Sequence, residues 1–371
     1  MTGPRRGVVD PASVPTETIQ LLKPDGTLAP DAEFEVDLKK DDLLEIYRYM
    51  MLARRADAEG TNLQRQGELG VYTPLLGQEA AQVGTAYALD EGDWIFPSYR
   101  EMAMALMRKI DPVDIFHMFR GTWHGGLWDP KEHRFALLSV PIATQILHAA
   151  GFAIAAKLDG AKTVALACFG DGASSEGDFH EGLNFGGVWH APIVYLCQNN
   201  QYAISVPVAK QTAAPTIAVR ALGYGFPGVR VDGNDVLACY AVAKEAVRRA
   251  REGGGPTLIE AVTFRRGPHS TADDPTRYRT EEELKHWEAL DPIARFTKHL
   301  ELEGIITDEF KAQVENEGKE LAAHIRAEIV GAGPRPSHEL FEYVFSEPSE
   351  ILRREEWLLS EELAGREDQG G

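Results

Sequence analysis

Cysteine is scarce in this chain. Three in 371 residues, an odd number with no metal-ligand spacing, exclude a disulfide framework and a thiolate metal site. Cys168 and Cys197 end short apolar runs and Cys239 falls in a helical run at 236–251, so all three read as buried thiols of a reducing compartment. Basic residues are also short: 38 Lys and Arg against 57 Asp and Glu leave a net charge of −19, which excludes nucleic acid as a general partner. A local basic pocket for a phosphorylated ligand stays open. No apolar run approaches the ~20 residues that span a bilayer. The best, Ile142 to Leu158, is broken by Gln145, His148 and Lys157. Met1 to Pro15 holds Arg5 and Arg6 with no apolar core behind them, unlike a secretory signal. A cytoplasmic protein without a membrane partner is expected. Two phosphate fingerprints are missing as well: Gly-x-x-x-x-Gly-Lys-Ser/Thr, and Gly-x-Gly-x-x-Gly after a strand. The second absence weakens a nicotinamide-dependent reading.

What is present divides in three. Residues 1–36 are rich in Pro and Gly and lack periodicity, as an extended N-terminal arm would. Residues 37–345 read as an α/β domain with a helical C-terminal part, and 346–371 as an acidic tail. A first helix carries Leu44, Tyr47 and Met51, with Asp42 and Glu45 as a candidate capping pair at its start. Gly77–Val83 opens a second helix, Asp93–Pro97 is a short strand or turn, residues 120–141 are loop-like, and Thr144–Lys157 is a small-residue helix. Apolar runs at Thr163–Phe169 and Ala191–Cys197 flank one amphipathic stretch that begins near Asp178. Strands at Gly228–Asp232 and Thr257–Phe264 flank the helix Val236–Arg251. Such alternation predicts an α/β fold, a mostly parallel sheet covered by helices. Past Arg266 come a polar loop, Gly267–Tyr278, and charged helices including Asp308–Ile329.

The segment 170–200 carries the most chemistry. Gly170-Asp171-Gly172 follows the first run and Asn199-Asn200 follows the second, with 26 residues between. Both motifs fall at the carboxyl ends of parallel strands, where open α/β sheets bind ligands. A carboxylate, an amide oxygen and a backbone carbonyl form a hard oxygen set suited to Mg²⁺. Gly170 and Gly172 allow close backbone approach to a ligand, and the following helix offers its N-terminus to an anion. Gly-Asp-Gly alone is a common turn; its pairing with Asn-Asn on these elements is what points to a cation carrying a diphosphate.

The pair resembles the thiamine diphosphate signature. Gln64-Arg-Gln-Gly-Glu-Leu69, Leu76-Gly-Gln-Glu-Ala-Ala-Gln82, Tyr99-Arg100, Gln198-Asn-Asn-Gln-Tyr-Ala-Ile-Ser205, Val231-Asp-Gly-Asn-Asp235 and Gly267-Pro-His-Ser-Thr-Ala-Asp-Asp-Pro-Thr-Arg-Tyr-Arg279 resemble the alpha subunit of the dehydrogenase (decarboxylating) component of 2-oxo acid dehydrogenase complexes. The resemblance runs over roughly residues 35–345. It implies Mg²⁺ held by Asp171, Asn200 and the carbonyl of Tyr202, and cofactor contacts from Tyr99, Arg100, Gly170, Gly172 and Ala173. Arg220 is expected as a further diphosphate ligand, and Ile142 as the apolar prop under the bent cofactor. His269 is the expected acid–base residue, and an imidazole beside arginines should have a lowered pKa. His124 is a second candidate at the substrate entrance. Ser139, Pro141, Thr144 and Gln145 resemble a potassium loop of branched-chain members, and Ser270 stands where mitochondrial relatives are phosphorylated.

The resemblance also implies partners. No second α/β unit follows residue 280, so the glutamate that activates the aminopyrimidine should come from a beta subunit in an α2β2 heterotetramer. The implied reaction decarboxylates a 2-oxo acid and passes the acyl group to lipoamide on the acyltransferase component. The potassium-like loop and Arg220 favour a branched-chain 2-oxo acid; Gly121-Thr-Trp-His-Gly-Gly126 keeps pyruvate open. A non-catalytic scaffold subunit is the alternative of a different class.

Overall fold

The structure is a computed structural model. It describes residues 16–29, 34, 36–122, 126, 128–333, 336–342 and 344–367. In chain order these form α1 (Lys40–Arg65), α2 (Glu79–Tyr87), β1 (Trp94–Phe96), α3 (Met102–Met107), α4 (Pro112–Arg120), α5 (Pro130–His133) and α6 (Thr144–Leu158). There follow β2 (Ala165–Gly170), α7 (Gly177–Trp189), β3 (Ile193–Asn199), β4 (Tyr202–Ala203), β5 (Val206–Pro207), β6 (Gly228–Asp232), α8 (Val236–Arg251) and β7 (Thr257–Val262). The remainder is helical: α9 (Glu281–Glu288), α10 (Pro292–Leu302), α11 (Asp308–Gly331), α12 (Glu339–Glu342) and α13 (Glu350–Glu367).

The central sheet has the order β1-β2-β3-β7-β6 and every pairing in it is parallel. Side chains of successive strand residues point to opposite faces, and two apolar cores result. Leu166, Cys168, Val194, Leu196, Ile259 and Ala261 pack with α1, α2 and α8. Ala165, Ala167, Phe169, Ile193, Tyr195 and Cys197 pack under α6 and α7. Burial on both faces explains why the two central runs show continuous rather than alternating hydrophobicity. All three cysteines are buried and free.

Three local expectations change. Residues 16–29, assigned to an arm free of the core, instead cover the outer edge of β6. Ile19 exchanges backbone bonds with Arg230 and Asp232 at 2.9 Å each, and Leu21 and Leu22 are buried. An edge strand leaves unpaired backbone groups, and this segment satisfies them; pairing of that kind needs no hydrophobic period. Helix α1 begins earlier than Asp42, whose carboxylate reaches back to accept the Lys39 N–H at 2.7 Å. The stretch 120–141 contains the short helix α5, capped by the Asp129 carboxylate.

Candidate active site

Four strands of the sheet deliver residues to one cavity at their carboxyl ends. β1 leads to Ser98–Glu101, β2 to Gly170–Ala173, β3 to Gln198–Tyr202, and β7 to Arg265 and His269. Ser139, Ile142, Ala143 and Gln145 close the cavity from the start of α6, and its volume is about 260 Å³.

One end is lined with oxygen. Asp171 is 1% exposed, and one carboxylate oxygen accepts from Gln211 Nε2 at 2.6 Å. No Lys or Arg among the described residues forms an ion pair with it; burial pushes its carboxyl above the ordinary range, against the bond from Gln211. Asn200 donates its Nδ2 to Gln78 Oε1 at 3.2 Å. That orientation points Asn200 Oδ1 at two other acceptors, the Tyr202 carbonyl at 3.1 Å and Asp171 Oδ1 at 3.3 Å. Turning the amide over would let nitrogen donate to both. Left as it is, three oxygens converge with no proton between them. Oxygens bound to one cation at ~2.1 Å and at right angles lie ~3.0 Å apart, so the spacing fits a small hard divalent ion. The backbone is bent to achieve this. Gln201 has φ +78° and Ile204 φ +53°, the latter a rare conformation for a β-branched residue. Arg265, 2% exposed, fastens the bend by donating to the Tyr202 and Ile204 carbonyls at 2.9 and 2.8 Å.

The anion-binding helix terminus differs from expectation. A 3-10 turn, Asp171–Ser175, intervenes before α7, so the amides next to the oxygen trio belong to that turn. Gly170 opens on free space at the cavity. Gly172 is needed for packing instead, because a Cβ there would lie 2.8 Å from the Ala203 methyl.

The other end is basic. Arg100, 7% exposed, donates to the Pro74 and His269 carbonyls, the latter at 2.9 Å, and its Nη2 lies 3.5 Å from His269 Nδ1. Burial, then Arg100 and Arg265, lower the His269 pKa to about 4, against a smaller pull from Asp273. The ring is therefore neutral at physiological pH, with Nδ1 the acceptor facing Arg100 and the proton on Nε2. Asp273 accepts the His269 N–H at 2.8 Å, and Tyr99 meets the imidazole edge-on with ring centres 6.2 Å apart. A neutral base and a guanidinium at one end and an oxygen trio at the other suit a phosphorylated cofactor beside a proton-transfer step.

Tyr99, Arg100, Ile142, Gly170, Asp171, Gly172, Ala173, Asn200, Tyr202 and His269 all line this cavity, as do Ser139 and Gln145. Thr144 does not; its hydroxyl donates to Asp178 at 3.2 Å. The Pro141 carbonyl accepts from Ser139 Oγ at 3.2 Å. His124 lies outside the described residues. Arg220 is a correction: it is absent from the cavity wall, lying over the Phe179 ring at 4.9 Å with Nη2 3.1 Å from His180 Nε2. The turn Ala218–Tyr224 carries it to Phe179 and His180 of α7. Gln198 was missed. It lines the cavity and donates to Glu101 at 2.7 Å, and its place just before Asn199-Asn200 at a strand's end was the available signal.

A parallel α/β sheet carries an oxygen trio and a basic wall at its carboxyl ends, an arrangement suited to a diphosphate ligand. More specifically, residues 47–339 match the model of the dehydrogenase E1 component family, and the chain belongs to that family, whose members depend on thiamine diphosphate. It is 50% identical over 352 residues to the 3-methyl-2-oxobutanoate dehydrogenase subunit alpha of Mycobacterium tuberculosis, covering 95% of this chain and 96% of that protein. It is 42% identical over 324 residues to the pyruvate dehydrogenase E1 component subunit alpha of Bacillus subtilis, covering 87% and 86%. The Staphylococcus aureus protein of the same name is 42% identical over 314 residues, 84% of each chain.

Proposed function

We propose that this chain is the alpha subunit of a 2-oxo acid dehydrogenase acting on branched-chain substrates, with acyl transfer to the lipoyl group of an acyltransferase component. The oxygen trio beside the Arg100–His269 wall is the observation that carries the reading. Asp171, Asn200 and the Tyr202 carbonyl would hold Mg²⁺, with Asn200 Oδ1 3.1 Å from the Tyr202 carbonyl and 3.3 Å from Asp171 Oδ1. Arg100 and the amides of the turn after Gly170 would take the diphosphate, with Tyr99 and Ile142 lining the same cavity. Thiamine diphosphate supplies an electron sink when the 2-oxo acid loses carbon dioxide. His269, held neutral, exchanges a proton at its imidazole.

The site is half of an active site, completed by a beta subunit in an α2β2 assembly. Past β7 the described residues form helices only, with no second α/β unit. The Glu101 oxygens are occupied by Ser98, Gln198 and the Arg100 N–H, so that carboxylate is not offered to a ligand. A potassium site at Ser139, Pro141, Thr144 and Gln145 belongs to the same proposal. Its support is Gln145 Oε1, buried without a hydrogen-bond partner. Thermal stability that ignores K⁺ concentration would remove it. A cytoplasmic location accords with three free thiols, and no helix among the described residues is long and apolar enough to cross a membrane.

The substrate test compares kcat/KM for 3-methyl-2-oxobutanoate and pyruvate in the assembly with its beta subunit. A preference of about tenfold or more for the branched acid is expected, the scale that one or two methylenes supply. The M. tuberculosis relative's name supports that direction. A preference for pyruvate would hand the function to the reading supported by the Bacillus relative. Decarboxylation by the purified chain alone, with cofactor and Mg²⁺, would overturn the half-site.

A further inference from the structure

Asp57 is a carboxylate of α1 that faces no substrate cavity. It is 3% exposed and accepts three hydrogen bonds: from the Tyr72 hydroxyl at 3.0 Å, the Leu75 N–H at 2.7 Å and the Leu76 N–H at 3.2 Å. All three donors belong to the irregular segment 71–77 between α1 and α2. The same segment makes further bonds to Arg100 and to the chain after β7 that carries His269. The peptide joining Pro74 to Leu75 gives its N–H to Asp57 and its carbonyl to the Arg100 guanidinium. Leu76 gives its N–H to Asp57 and its carbonyl to the Arg266 N–H at 3.0 Å. Tyr72 gives its hydroxyl to Asp57, while its N–H donates to Thr271 Oγ1 at 3.0 Å and its carbonyl accepts the Thr271 N–H at 2.8 Å. Thr271 lies two residues past His269.

The segment ends at Gly77, with φ +98°, where any side chain would collide with the Phe264 carbonyl. Its position against β7 is thus set at one end by glycine and along its length by Asp57. Arg54, one turn earlier on α1, reinforces the same platform by bridging Glu79 and Asp291, and Arg266 also pairs with Asp291. Among the described residues Asp57 forms no ion pair of its own; Glu79 and Arg100 are the charges that act on it at longer range. Burial pushes its carboxyl pKa up to about 7, against the bond from Leu75, and its acceptor capacity is spent on one strap.

We propose that Asp57 is a positioning residue that acts through the segment 71–77 to fix the Arg100 guanidinium and the His269 loop relative to one another. The inference rests on the cofactor reading given above. Hydrogen bonds in series polarise one another, and a misplacement of ~1 Å in an active site costs on the order of a hundredfold in rate.

The test is Asp57→Asn in the assembly with its beta subunit. The amide keeps the shape, but its nitrogen meets a donor in either orientation, Leu76 N–H in one and the Tyr72 hydroxyl with Leu75 N–H in the other, and pushes the strap away. Thiamine diphosphate binding in the presence of Mg²⁺ is expected to weaken about tenfold, and kcat to fall on the order of tenfold to a hundredfold, with KM for the 2-oxo acid little changed. The fall in kcat should be largest above pH 7 and should shrink as pH drops below it, because wild-type Asp57 itself takes up a proton there, whereas the asparagine does not titrate. A lower Tm with unchanged cofactor affinity, kcat and pH profile would assign Asp57 a structural role and overturn the proposal. Should the Asp57→Asn chain fail to assemble, Thr271→Val decides: it cuts only the bond from Tyr72 N–H to Oγ1. It should lower kcat severalfold and leave cofactor affinity unchanged, because the Arg100 branch is intact; unchanged kcat would overturn the proposal. Failure of the wild-type assembly to bind thiamine diphosphate would overturn both readings, whereas wild-type binding matched by Asp57→Asn overturns this one alone.

Discussion

The two ends of the cavity are built differently. The oxygen end is made by the termini of two adjacent strands, β2 and β3, whose register pairs Gly170 with Gln198. Asp171 and Asn200 meet because the sheet brings them together. The basic end is made by irregular segments: Ser98–Glu101, the strap 71–77 and the loop after β7, joined by side-chain-to-backbone bonds such as those from Arg100. The sheet supplies distance, while the loops supply charge and protonation state. A cation site tolerates little change in ligand spacing and belongs on strands. A proton-transfer residue needs burial and neighbouring charge, which loops folded over the cavity provide.

Replacing Asp171 should have the largest effect. Asp171→Asn removes the only anionic member of the trio, and Mg²⁺-dependent cofactor binding is expected to fall on the order of a hundredfold or more, measured by calorimetry on the assembly. The cofactor-free form should be at least as stable as wild type in thermal unfolding, because the substitution removes a buried carboxylate whose ionisation burial opposes. A loss of cofactor-free stability would show that the charge serves the fold instead.

His269→Ala attacks the other end. Expected is a fall in kcat on the order of a hundredfold to ten-thousandfold, with cofactor affinity little changed, read by steady-state kinetics and a binding isotherm. Equal losses in both would erase the division of labour between the two ends.

The pH dependence sharpens the contrast further. The His269 pKa is about 4 in the folded chain, below the ordinary 6.5, so the unfolded state binds more protons between those values. Its contribution to stability is fully present above pH 6.5 and is lost as pH falls through 4. Denaturant unfolding of wild type should therefore weaken over that window more steeply than that of His269→Asn. The acid limb of kcat/KM should likewise lack an inflection near 6.5 from this residue.

The smallest effect is expected at Arg220. Arg220→Ala should change cofactor affinity and kcat by less than about twofold, the scale of a surface substitution, since the guanidinium lies over Phe179 and off the cavity. A large loss would return it to the diphosphate.

How much of this was legible in the sequence follows from the same contrast. That Asp171 and Asn200 lie at one end of the sheet was readable because a parallel strand–helix–strand unit fixes where strand ends lie, and the apolar runs marked those ends; the Tyr202 carbonyl came only from the family resemblance. The helix Val236–Arg251 was readable to the residue because its period is local. Arg220 was misplaced because a basic residue near a motif carries no information about which side of α7 it reaches. The sheet edge covered by residues 16–29 was hidden because the bonds of Ile19, Leu21 and Leu22 to Arg230, Asp232 and the Asp235 carboxylate span more than 200 positions and use only backbone groups of that segment. The Asp57 platform was hidden for a similar reason: its donors are mostly amides, which leave no trace in residue type.

Asp171, Asn200 and the Tyr202 carbonyl are proposed to bind the cofactor through a divalent cation. The most direct measurement is a thiamine diphosphate binding isotherm on the αβ assembly, taken with Mg²⁺ and again after chelation. Tight binding that collapses on chelation and returns on adding Mg²⁺ is expected; binding of equal strength in the chelated assembly would contradict the claim.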